Sequence, residues 1–103
     1  PDTLVLHKGI VTFVEHKTAT LPMRKTTKLQ WRHPLSAPQR NWHLTWAQNG
    51  GRSYIVVGVG STLFAIKGTL ADEVTDMKAS DIIYWGVSMA DLGMLYKGTG
   101  DAR

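Results

Sequence analysis

The chain contains no cysteine. Disulfide scaffolds, thiolate metal sites and thiol nucleophiles are therefore excluded, while the compartment stays open, because a secreted protein need not contain cysteine. Long apolar runs are also missing. The longest, Tyr54 to Val59, falls far short of the roughly 20 residues that a membrane-spanning helix needs. Polar interruptions at His7, Lys8 and Thr12 leave no signal-peptide core near the start, so no membrane partner is expected. Internal repeats and low-complexity runs are absent as well.

The 103 residues are 43% hydrophobic and 19% charged, within the range of globular chains, and a single domain over residues 1–103 is expected. Acidic side chains are scarce, and the net charge is +4. Residues 1–52 carry eight Lys/Arg against Asp2 and Glu15 alone, whereas residues 53–103 carry four against six acidic residues. This asymmetry suits a surface that faces a polyanion, or complementary surfaces that self-associate.

Local patterns predict mostly strand. Tyr54 to Lys67 reads as a buried hairpin turning at Gly60-Ser61, where glycine supplies the positive φ of a type II′ turn. That turn pairs Val59 with Thr62, Val57 with Phe64 and Ile55 with Ile66. Residues 3–6, 10–15 and 18–21 read as strands, the last broken by Pro22. On the second of these, Val11, Phe13 and Glu15 share one face. Residues 25–32 alternate cleanly, with Thr27, Leu29 and Trp31 opposite Lys28, Gln30 and Arg32. A stiff loop follows over residues 33–40. Residues 41–48 alternate again, and Asn49-Gly50-Gly51 reads as a hairpin turn into the central strand, giving a three-stranded meander. Thr69 to Lys78 is the one expected helix, with Leu70, Val74 and Met77 as its buried stripe. Strands are expected again at 80–87 and 94–97. The sum is an all-β fold, a small barrel or two-layer sandwich of about seven strands with one short helix near residues 70–78.

The functional expectation is a non-enzymatic module whose basic half contacts a polyanion, single-stranded nucleic acid or RNA, through Arg24, Lys25, Lys28, Arg32, Arg40 and Arg52. Trp31, Trp42 and Trp46 alternate away from these cations and are expected in the core rather than stacked on bases. A second reading is a structural or assembly domain, a homo-oligomer or protein-binding module, using Tyr84, Trp85, Met89, Met94, Leu95 and Tyr96 as contact surface. A third is a small ribonuclease-like enzyme. In it, His43 and either His16 or His33 flank a phosphate held by Lys28 and Arg32. The four histidines have no metal-ligand spacing, so no metal site is expected. Val57 to Leu63 has two glycines but lacks the third, and the helix, of a dinucleotide-binding turn. No cofactor is expected.

Overall fold

Two tight turns and one helical crossover determine the sheet. The computed structural model describes residues 2–89, Met89 by its backbone alone. Strands β1 (Thr3–His7) and β2 (Ile10–Thr20) form an antiparallel hairpin through Lys8 and Gly9, both at positive φ. Strands β4 (Arg52–Val59) and β5 (Thr62–Lys67) form the second hairpin. Its turn has Gly60 at φ +60°, and its register pairs Val59 with Thr62, Val57 with Phe64 and Ile55 with Ile66, as the turn chemistry predicts.

Between the hairpins lies a helix, not a strand. Helix α1 spans Ala37–Gln48. Ser36 caps it, accepting from the Gln39 backbone N–H at 3.2 Å, while the Gln39 side chain accepts from the Ser36 N–H at 3.0 Å. Pro38 in the first turn loses no hydrogen bond. Asn49-Gly50 closes the helix instead of turning a hairpin. Gly50 takes φ +80°, and its N–H donates to the Ala47 carbonyl at 3.0 Å. Because α1 carries the chain across the sheet, β4 pairs with β2 in parallel, from Thr12 opposite Arg52 to Ala19 opposite Val59.

The result is an open six-stranded sheet, ordered β1-β2-β4-β5-β6, with β3 (Gln30–Trp31) on β2 and β6 (Val87–Met89) on β5. The all-β barrel or sandwich expected from alternation is therefore corrected to a mixed α/β fold with two helices. Residues 80–87 were expected as strand, but α2 (Ala79–Trp85) occupies most of them, started by the Lys78 N–H donating to the Asp81 carboxylate at 2.9 Å. The expected helix at 70–78 is two separate 3-10 turns, Gly68–Leu70 and Val74–Asp76. The long strand at 25–32 shrinks to β3, and residues 94–97 lie outside the described region.

The main core lies on the helix side of the sheet. Ile55, Val57 and Ile66 meet Leu35, Val74, Met77 and Ile82 there. Each fully buried Ile contributes about 1.5–3 kcal/mol. A smaller cluster of Val14, Tyr54, Val56 and Ala65 covers the other face. Among the described residues, no helix is long and apolar enough to cross a membrane.

Candidate active site

The polar residues at the heart of the sheet come from β1, β2, β4 and α1. Side chains alternate along β2, so Phe13, Glu15 and Lys17 face α1 together. Phe13 seats the helix by meeting Trp42 and Trp46 edge-on, at centroid distances of 4.8 and 5.1 Å. Trp46 is anchored by its indole N–H, which donates to the Arg52 carbonyl at 2.9 Å. Gly51 permits that approach, since a Cβ there would fall on the Trp46 ring. With the helix fixed, His43 points inward between β2 and β4.

His43 is fully buried, Glu15 is 1% exposed and Ser53 6%. His43 Nδ1 lies 2.9 Å from Ser53 Oγ, and Nε2 faces Glu15 Oε1 at 3.5 Å. Nε2 makes no hydrogen bond among the described residues. On the outer side of Glu15 stands Asp2, one position before the strand residue Thr3, whose partner on β2 is Val14. The Asp2 N–H donates to the Val14 carbonyl at 3.0 Å, and the His16 N–H donates to Asp2 Oδ2 at 2.8 Å. Asp2 and Glu15 are themselves hydrogen-bonded through their carboxyl groups.

This arrangement drives the two carboxyls apart. Burial, followed by the negative charge of Asp2, raises the Glu15 pKa. Partial burial works against the ionised form of Asp2, but hydrogen bonds from the His16 backbone and from Glu15 outweigh it and hold Asp2 below its ordinary value. Of the two, Glu15 is the one shifted toward its protonated form. Burial also pushes His43 down from 6.5 to about 4.

Carboxyl, imidazole and hydroxyl in a row have the membership of a hydrolytic triad, but not its function. Ser53 is 6% exposed and packs on Gly68, where a Cβ would fall on its Oγ, and an imidazole at about 4 is a weak base at neutral pH. Burial likewise rules His43 out as a base that reaches a substrate phosphate, the role it has in the ribonuclease-like reading. His16 and His33, the other imidazoles of that reading, do come together. They line a surface groove of about 320 Å³ with Lys17, Thr18 and Arg32. The Arg32 N–H donates to the Thr18 carbonyl at 3.0 Å and ties the loop to β2.

The six basic residues of the polyanion reading do not gather on one surface. Arg32 reaches the groove. Arg24 and Lys25 lie on the turn before β3, where the Lys25 carbonyl accepts from the Ser80 N–H at 3.2 Å. Lys28 pairs with Asp76 at 3.2 Å. Arg40 lies 3.8 Å from Asp72 and donates to the Leu35 carbonyl at 2.9 Å. The Arg52 guanidinium sits over the Tyr54 ring at 5.3 Å. Composition placed the charge in one half of the sequence, but the fold distributes it. Trp31, Trp42 and Trp46 are half-buried and pack inward.

Asp2 and Glu15, which the β1–β2 pairing brings side by side, were not among the expected site residues. The signal was a glutamate on the apolar face of a strand beside Val11 and Phe13, where an acid needs a partner or a purpose. Among the described residues, no group of three or more His, Cys, Asp or Glu side chains could hold a metal ion. No family model, curated protein or solved structure matches this chain.

The shifts predict a pH dependence that a neutral isostere isolates. His43 binds fewer protons folded than unfolded between about 4 and 6.5, so its contribution grows as pH rises through that window. Glu15, raised above 4.5, acts in the opposite sense, its contribution fading as pH rises through its folded value. In Glu15→Gln the His43 slope should stand alone. Urea midpoints of that variant are expected to climb between pH 4.5 and 6.5. A flat profile would contradict the buried neutral imidazole.

Proposed function

We propose that this chain is a divalent-cation-dependent hydrolase of phosphodiester bonds in nucleic acid. One observation carries the reading: the neighbouring Asp2 and Glu15 carboxyls, with Lys17, two residues along β2 from Glu15, lining the His16/Lys17/Arg32/His33 groove. Two carboxyls in contact compete for one proton, and a divalent cation satisfies both at once. Mg²⁺ is commonly held by one or two carboxylates with its remaining positions filled by water and substrate phosphate, so this pair suffices without a third ligand side chain.

In this reading Asp2 and Glu15 would hold a divalent cation, which would supply Lewis-acid activation of a phosphoryl oxygen and of a water. The water oxygen bonds phosphorus, the bond to the leaving oxygen breaks, and a proton ends on that oxygen. Lys17 stabilises the charge that builds on the phosphoryl oxygens, and Arg32 holds a flanking phosphate in the groove. The polyanion expected from composition thus becomes a substrate, met by a short local set of cations instead of a basic face.

Incubation with end-labelled DNA and RNA tests this. Cleavage is expected with Mg²⁺ or Mn²⁺ and should vanish with EDTA. Full activity in EDTA, or none with either cation on any substrate form, would contradict the reading.

A second reading, assembly, is favoured by a different observation. Leu4 and Leu6 on the edge strand β1 are 59% and 69% exposed, and Val11, opposite Leu6, continues the apolar surface. Tyr84 and Trp85 are also exposed, while Met94, Leu95 and Tyr96 lie outside the described residues. Sedimentation should show a dimer that Leu6→Glu dissociates. A monomer at all concentrations would end this reading.

A further inference from the structure

We infer that the outer edge of β1 pairs with itself: a second copy of this chain docks there antiparallel, in a register centred on Val5. The inference rests on the assembly reading and adds the element and the register through which the two copies meet.

Lys8 and Gly9, at φ +51° and +79°, make a two-residue turn with both central residues left-handed, the type I′ geometry. In that geometry His7 and Ile10 exchange both ladder bonds, and the next such pair is Val5 with Thr12. Leu4 and Leu6 fall between these positions, so their N–H and C=O groups point away from β2. Among the described residues, no strand lies on that side of β1. Thr3–His7 also contains no proline, lysine or acid, the residues that usually blunt an open edge.

One register satisfies all of the outward groups. With Val5 on a two-fold axis, Leu4 lies opposite Leu6 of the second copy, Leu6 lies opposite its Leu4, and each pair exchanges two bonds. The side chains agree with the backbone. Leu4 and Leu6, cross-strand neighbours of Phe13 and Val11, are exposed on the α1 face, and the pairing gathers the leucines of both copies there. Charge is complementary as well, since Asp2 falls opposite Lys8 of the second copy at both ends. Moving the axis to Leu4 sets Asp2 against Leu6, and moving it to Leu6 sets Lys8 against Leu4. The Val5 register alone matches like with like.

The chain has no cysteine, so introduced thiols report the register directly. Val5 and its copy form a non-hydrogen-bonded pair with Cα atoms about 4.5 Å apart, inside the range that a disulfide spans. Mild oxidation of Val5→Cys should link most of the protein into a covalent dimer on a non-reducing gel. Thr3→Cys and His7→Cys should each stay unlinked alone, and an equal mixture of the two should link. Sedimentation of the unmodified chain at up to about 1 mM, the range that a weak contact requires, should show the dimer. A dimer that Leu6→Glu dissociates, but that neither Val5→Cys nor the mixture cross-links, would remove this register and leave the assembly reading. Linkage of Val5→Cys as fast in urea as in buffer would overturn the register too, since it reports collision and not pairing. A monomer throughout would remove both the register and the assembly reading.

Discussion

Glu15→Gln is expected to lower cation-dependent cleavage by roughly 10²–10³-fold while leaving the fold intact, the scale seen when a group that stabilises transition-state charge is removed. The side chain is 1% exposed and burial raises its pKa, so an amide of the same shape carries no desolvation penalty for charge. Thermal stability should therefore stay level or rise slightly. This separation of activity from stability distinguishes a cation ligand from a core residue. Comparable loss of both would make Glu15 structural. Lys17→Met should also reduce cleavage but keep Mn²⁺ affinity, since the proposed role of its ammonium is toward phosphate and not the cation.

The largest stability effect is expected at Gly68. An added methyl there collides with Ser53 Oγ and crowds Ser53 Cβ at 3.2 Å, and both residues are buried. The backbone is fixed on both sides, by the end of β5 and by the 3-10 turn at Gly68–Leu70. Overpacking of this kind costs about 1–3 kcal/mol, and displacing Ser53 strands a buried imidazole nitrogen for about 1–3 kcal/mol more. Gly68→Ala should thus lower stability by about 3 kcal/mol, which for a chain of this size lowers Tm by more than about 10 °C. Gly68→Ala combined with Ser53→Ala should recover part of that loss, because the smaller side chain vacates the space. A denaturation midpoint unmoved by Gly68→Ala would show that the backbone can shift there.

Where local chemistry decided structure, the sequence was legible. The Gly60-Ser61 turn determined both its own φ and the register of β4 with β5. Period-two alternation misled wherever helical spacing fitted the same residues. Trp42, Leu44 and Trp46 alternate as a strand would, but Trp42 and Trp46 are also four apart, and both lie on Phe13. The deciding signal was further upstream, in the Ser36–Gln39 capping box and Pro38. Ile82, Ile83, Tyr84 and Trp85 favour strand by propensity, yet form α2 because Asp81 caps its start and Ile82 finds the core. The parallel pairing of β2 with β4 depends on the crossover, so misreading α1 as strand also hid the α/β class.

The site was less legible than the fold. Asp2 and Glu15 are thirteen positions apart and meet only because Lys8 and Gly9 turn β1 back on β2. His43 meets Glu15, and Ser53 meets His43, only through the crossover. Net charge drew attention to arginines and lysines, which the tertiary structure then separated by pairing Lys28 with Asp76 and Arg40 with Asp72.

Mn²⁺ binding to the full chain and to Asp2→Asn/Glu15→Gln is the most direct test of the cation site. Saturable binding at submillimolar to millimolar Mn²⁺ in the unmodified chain, abolished in the folded double variant, is the expected result. Equal binding by both proteins, or no binding by either, would contradict it.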